Sequence, residues 1–174
     1  MIAPWKKLRE VTVRVGHRSI FRKTFLMPDG KESIYDVTND GDVVCIFALT
    51  TQNTVVLVQQ YRPGPEQVLL ELPGGFIEPG QSPAEAAHDE LLQETGFDGD
   101  IKLVTTRPFS GYSNRIYHSF VATNCRRIQE QRLDPEELLE VVELSLDDVR
   151  HHLRYGQLTD TVTGYVGLDT LGLL

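Results

Sequence analysis

Residues 71–97 read ELPGGFIEPGQSPAEAAHDELLQETGF. An apolar stretch closes on the pair Gly74-Gly75, and a segment rich in carboxylates follows. Ser82 is a good N-cap, Pro83 suits a first helical turn, Glu85 completes the capping-box spacing and Gly96 ends the pattern, so the spacing predicts a helix over 82–95. At about 100° per residue, Ala84, Ala87 and Leu91 share one stripe, which is expected to be the buried one. Glu90 and Glu94 are four apart and lie side by side, flanked by Ala86 and Gln93, while Glu85 and Asp89 point elsewhere. Like charges at that spacing cost a few tenths of a kcal/mol, roughly, in an isolated helix. On spacing alone, a solvated acidic face explains the pair, and so does a cation site. Mg²⁺ takes one or two carboxylates together with phosphate oxygens. Glycines ahead of a capped helix let backbone approach a ligand closely and leave a carbonyl free to complete such a site.

Working outward, 9–15, 19–27 and 31–38 read as three strands, with Pro28-Asp29-Gly30 as a hairpin turn. DVVCIFALT (42–50) and TVVLVQQYR (54–62) are stronger strands, and VLLEL (68–72) is a short one. Further strands are expected at 101–107, 116–123 and 138–144. Ser145 opens a second helix, with Asp148 at the capping-box position. The tail from Thr159 to Leu173 is a weaker helix, interrupted by Gly164, Gly167 and Gly172. Many strands and two or three helices without regular βαβ alternation indicate an α+β fold.

The chain of 174 residues is 40% hydrophobic and 24% charged, enough for one domain with a real core. A net charge of −8 argues against a nucleic-acid or acidic-membrane partner, which wants a basic face. A small anionic substrate remains compatible, because a bound divalent cation inverts the local field. Cys45 and Cys125 lie in strand-like surroundings without zinc-type spacing and read as reduced, buried thiols. No signal-peptide pattern and no run of ~18 apolar residues is present, so a cytoplasmic protein is expected. His88, His118, His151 and His152 lack ligand spacing and read as structural or surface residues.

Gly75, Glu90, Leu91, Glu94, Gly96 and Phe97 match the Nudix box, G-x5-E-x7-R-E-U-x-E-E-x-G-U with U bulky and apolar. QQYRPGPEQVLLELPGG (59–75) and PFSGYSNRIYHSFVA (108–122) resemble the ADP-ribose and nucleotide-sugar pyrophosphatase branch of that superfamily. The resemblance covers most of 43–146. It implies a Nudix fold, a mixed β-sheet sandwiched between helices, with a small N-terminal antiparallel sheet. It also implies divalent-metal-dependent hydrolysis of a nucleoside diphosphate linked to another moiety, ADP-ribose or a nucleotide sugar, with Mg²⁺ as cofactor and Mn²⁺ as a substitute. Metal ligands implied are Glu90, Glu94, the Gly74 carbonyl, Gln93 and Glu137; Glu94 and Glu137 carry catalysis.

Three box positions depart from the pattern. The early Glu is Gln81, the Arg is Asp89, and the first Glu of the EE pair is Gln93, an uncharged and weaker ligand. In the family the early Glu and the Arg commonly pair, and a Gln81–Asp89 hydrogen bond is the expected replacement. A family acid in the stretch matching 109–122 is here Arg115. Glu137, with Glu136 beside it, falls at another family acid position and is the choice for metal ligand or water-orienting base. Arg62, Gly75 and Arg115 are the candidate substrate contacts, since arginine offers a fixed fork of donors to phosphate. Tyr61, Phe109 and Tyr112 suit either base stacking or core packing. The degenerate box leaves a second reading, a Nudix-fold nucleotide-binding module that cleaves weakly or not at all. The expected organisation is residues 1–40 as an N-terminal dimerisation sheet and 41–174 as the Nudix hydrolase domain. The resemblance implies a homodimer.

Overall fold

A computed structural model describes residues 3–135, 137–156 and 158–174. They form two compact units, one running up to Asp42 and taking in Arg107–Ile116, the other comprising Val43–Thr106 and Tyr117–Leu174. In the first, β1 (Lys6–Val15), β2 (Arg18–Leu26) and β3 (Glu32–Asn39) make an antiparallel sheet in sequence order. The β2–β3 turn closes with Gly30 N–H donating to Met27 O at 2.9 Å. Gly30 has φ 82° there, a left-handed conformation that a side chain disfavours. Register pairs Val13 with Ile20 and Val11 with Arg22, and sets Ile34 opposite Thr24. Val11, Val13, Ile20 and Ile34 therefore share one face. Phe25 turns to the other, where it meets Trp5 and Tyr35.

The second unit is built on β4 (Val43–Thr50), β5 (Thr54–Arg62), β6 (Gln67–Glu71), β7 (Phe97–Pro108), β8 (Ile116–Arg127) and β9 (Leu139–Ser145). They form a mixed sheet in the order β6-β5-β4-β8-β7, with β9 on β5 and with β4 and β8 parallel. Helices α1 (Pro83–Thr95), α2 (Leu146–Tyr155) and α3 (Thr161–Thr170) cover it. β4 reads as an unbroken apolar run because both its faces are buried. Val44, Ile46 and Ala48 pack with Ala86, Ala87 and Leu91 of α1. Cys45 and Phe47 pack with Val149 and Leu153 of α2 and Leu168 of α3. Both cysteines are buried and free.

The glycines of the last helix play a different part from the one the sequence suggests. α3 runs unbroken through Gly164 and Gly167. A Cβ on Gly167 would stand 2.5 Å from the Phe47 ring, and one on Gly164 would stand 2.5 Å from Leu153. These glycines bring the helix close to β4 and α2 instead of interrupting it.

Candidate active site

The site begins where β5 leaves β4. The two strands pair only through Ala48–Val56 and Leu49–Val55. Beyond that point the chain emerging from β6 takes the vacated edge of β4. Ile46 N–H donates to Pro73 O and Val44 N–H to Gly75 O, each at 2.9 Å. The pleat turns Gly74 the opposite way, and its N–H donates to Glu94 Oε2 at 2.9 Å. A side chain at Gly74 would strike backbone, and one at Gly75 would displace the Glu90 carboxylate. A Cβ on Gly74 would lie 2.2 Å from Val44 O, and one on Gly75 would lie 2.1 Å from Glu90 Oε1. The glycine pair is thus a backbone ribbon pressed between β4 and the carboxylates of α1.

α1 is held as its sequence predicts. Ser82 caps it and accepts from Glu85 N–H, the Glu85 carboxylate accepts from Ser82 N–H at 2.8 Å, and Gly96 closes it at φ 75°. The buried face keeps Ala87 and Leu91 of the expected stripe but not Ala84. Ala84 is exposed, and the inward side runs through Ala86, Ala87, Leu91, Glu94 and Thr95. The helix is rotated so that the carboxylate pair, not Ala84, meets the ribbon. Gln81 Nε2 donates to Asp89 Oδ2 at 2.9 Å, so the two substituted box positions do hold each other. The same Gln81 side chain accepts from Glu78 N–H at 3.2 Å, tying the loop to the helix.

Arg62, Gly74, Gly75, Glu90, Glu94 and Glu137 line one cavity of about 550 Å³. Asp134 and Glu78 also line it, and sequence reasoning missed both. Burial, followed by the charges of Glu137, Asp134, Asp89 and Glu78, pushes the Glu90 carboxyl up to about 7. Burial also pushes Glu94 up to about 8, with Glu90 and Glu137 adding to it and Gly74 N–H and Arg62 opposing it. Glu94 is only 5% exposed. Glu137 is exposed, and its carboxylate accepts from Asp134 N–H at 3.1 Å. Glu136 lies outside the described residues.

Two candidates are placed elsewhere. Gln93 is exposed and not among the cavity-lining residues; its carbonyl accepts from Arg132 N–H at 2.9 Å. Arg115 belongs to the first unit, where it pairs with Asp40 at 3.5 Å and donates to Gly41 O at 3.2 Å. Arg62 is in the cavity wall with its guanidinium engaged: Nε and Nη2 donate to Glu71 at 2.6–3.0 Å. Gln60 Nε2 donates to the same carboxylate at 2.8 Å. Glu71 itself is buried.

Among the described residues, no three of His, Cys, Asp and Glu converge closely enough to form a metal cage. The donor set nevertheless fits a hard divalent cation of the Mg²⁺ kind. That ion uses one or two protein carboxylates and completes its shell with water and substrate phosphate rather than with a closed protein site. Two crowded carboxylates of raised pKa, Glu94 buried and Glu90 half-buried, are the matching feature on the protein side.

The family model of the NUDIX domain matches residues 40–162. The chain belongs to the Nudix family and is a Nudix hydrolase. It falls within the ADP-ribose pyrophosphatase-like branch. It is 30% identical over 142 residues to an ADP-ribose pyrophosphatase of Bacillus subtilis (strain 168), covering 80% of this chain and 77% of that one. It is 29% identical over 140 residues to a methanol dehydrogenase activator of Bacillus methanolicus, covering 79% and 76%. An ADP-sugar pyrophosphatase of Mus musculus is 36% identical over 91 residues, covering 46% of this chain and 42% of that one. The crystal structure of an ADP compounds hydrolase shares the fold with a TM-score of 0.84 at 20% identity, covering 100% of this chain and 99% of that one.

Proposed function

We propose that the protein hydrolyses the diphosphate of ADP-ribose or of a related nucleotide sugar, with Mg²⁺ as the activating cation. The observation that carries this reading is the stacking of half-buried Glu90 and buried Glu94 against the glycine ribbon, facing a cavity large enough for a small ligand. Glu90, Glu94 and the Gly74 carbonyl would hold a divalent cation, which would supply charge neutralisation for the diphosphate and acidify a bound water. Glu137, on the cavity wall, orients the attacking water and takes its proton. The water oxygen adds to one phosphorus and the anhydride P–O bond breaks. Two phosphomonoesters leave, and the water proton passes to solvent. Arg62 and the ribbon steady the substrate. The exposed position of Gln93 means that its missing charge removes nothing from the cavity wall, which favours turnover over the binding-only reading.

The decisive experiment is a pyrophosphatase assay over ADP-ribose, nucleotide sugars, dinucleotides and nucleoside triphosphates, with Mg²⁺ and with Mn²⁺. Turnover concentrated on ADP-ribose-like substrates, and lost in Glu90→Gln and Glu94→Gln, supports the reading. Tight nucleotide binding without turnover under either cation selects the binding module instead. The same reading includes a cytoplasmic homodimer in which residues 1–40 are the dimerisation region and 41–174 the hydrolase domain. No helix among the described residues is long and apolar enough to cross a membrane.

A further inference from the structure

Asp160 stands at the N-cap of α3 but makes no side-chain bond to its own helix. An Asp in that place commonly accepts from a first-turn N–H and stabilises the helix. Here both oxygens turn away. Oδ2 accepts from Leu72 N–H at 3.1 Å, and Oδ1 accepts from Tyr117 Oη–H at 2.6 Å. Leu72 is two residues before Gly74, at the point where the chain leaves β6 to run along β4. Next to Asp160, Leu158 forms a bridge to Leu70, and Thr159 N–H donates to Leu70 O at 3.2 Å. The Thr159 hydroxyl stands between two carboxylates, 3.4 Å from Glu71 Oε1 and 3.3 Å from Asp160 Oδ2. Glu71 in turn holds the Arg62 guanidinium in the cavity wall. Every contact in this chain lies within the second unit.

We infer that Asp160 is a positioning residue of the site: from behind the sheet it fixes the backbone at Leu72, and so the register in which Gly74 N–H meets Glu94 and Arg62 faces the cavity. The inference rests on reading that cavity as the diphosphate site. The physical basis is that the ribbon meets β4 over a short stretch, through the bonds from Ile46 and Val44 and the Val43–Phe76 bridge. Glycine leaves that segment the most conformational freedom to lose. A charged acceptor on the Leu72 amide is stronger than a neutral one, and outer-shell partners of metal ligands typically set 10–100-fold in affinity or activity.

The test compares Asp160→Asn with Ser119→Ala. Asparagine keeps the shape but replaces one accepting oxygen with a donor. Ser119 bonds Thr163 at 2.8 Å and is buried against α3. Its hydroxyl serves that bond to α3 and not the Leu72 amide or the Glu71 carboxylate, so it reports plain structural loss. Three measurements are made on the full chain, with circular dichroism and thermal melts confirming the fold. For Asp160→Asn we expect the ¹⁵N-resolved amide signals of Leu72 and Gly74 to shift and to lose exchange protection. We expect the Mn²⁺ titration midpoint of the protein alone to rise about tenfold, at the lower end of the outer-shell range. We expect kcat on ADP-ribose to fall more than KM changes. Ser119→Ala is expected to lower the melting temperature while leaving all three unchanged. A folded Asp160→Asn protein with unaltered Gly74 amide and Mn²⁺ midpoint overturns the inference, as does a Ser119→Ala protein that behaves the same way as Asp160→Asn. A wild-type chain that binds Mn²⁺ but turns over none of the substrates refutes the functional reading alone, because the amide and titration arms still decide the role of Asp160.

Discussion

At the residue scale, the site is a conflict between two carboxylates that the fold leaves unresolved. Glu90 and Glu94 are adjacent on α1, partly or fully removed from water, and raised to about 7 and about 8. Their folded values exceed the unfolded one of 4.5, so the native state binds more protons. The stability this contributes is therefore complete below pH ~4.5 and is lost as pH rises through ~7 and ~8. Without divalent cations, we expect the melting temperature to decline from pH 6 to pH 9, and saturating Mg²⁺ to flatten the decline. Glu94→Gln, read in chelator at pH 8.5, should melt higher than the wild type. The same variant should lose on the order of a hundredfold or more in kcat, since cation charge stabilisation is worth several kcal/mol. A melting curve indifferent to pH and to Mg²⁺, with activity retained in Glu94→Gln, would place the cation elsewhere. Gly75→Ala belongs to the same conflict: its Cβ would fall on the Glu90 carboxylate. We expect a folded protein whose Mn²⁺ affinity, measured by calorimetry, is severely weakened.

At the element scale, what could be read from sequence divides by distance along the chain. The α1 caps, the glycine pair and the Glu90–Glu94 spacing act within one turn or one loop, and the residues that settle them are neighbours. The Gln81–Asp89 bond was legible for the same reason, although its exposed setting limits its worth. A double-mutant cycle on Gln81→Ala and Asp89→Ala should return ~0.5–1 kcal/mol, less than a dry charge-assisted pair would give. Ala87 and Leu91 were legible as buried, but that Ala84 stays outside and Glu94 turns in was not, because this depends on a ribbon that must fill the gap left when β5 diverges from β4. Asp160 was missed because it bonds a residue 88 positions earlier, and Glu71 because Gln60 and Arg62 reach it only once β5 and β6 pair. Gly164 and Gly167 were read by propensity, which penalises glycine in helices by ~1 kcal/mol, whereas their use is contact with Leu153 and Phe47. Gly167→Ala regains that propensity and loses more. Forcing a methyl against a fully buried ring costs ~1–3 kcal/mol, so a lower melting temperature is expected. A rise would mean that Phe47 can retreat, which its complete burial argues against.

At the scale of the whole molecule, the feature to account for is the apolar face of the three-stranded sheet. Val11, Val15 and Ile34 are 40%, 61% and 65% exposed, and register aligns them on the same side as Val13 and Ile20. Arg22 and Asp36 also sit on that face as a bidentate pair at 2.8 Å, a neutralised contact that packs against apolar surface at less cost than a lone charge. Scattered exposed apolar residues need no explanation, but an aligned row on one face marks an interaction surface. A second copy of the chain is the occupant we propose. An obligate interface would bury on the order of 2,000 Å² or more and be apolar at its centre, which a face of valine and isoleucine rimmed by arginine and lysine suits. Light scattering at micromolar concentration should return twice the 19.6 kDa chain mass. The double variant Val15→Asp with Ile34→Asp should return the single mass, with strand content unchanged by circular dichroism, because both side chains point away from the Trp5–Phe25–Tyr35 cluster that packs the opposite face. An intact wild-type chain that scatters as a monomer while turning over substrate at full rate would remove the dimer and, with it, any role for this face in activity.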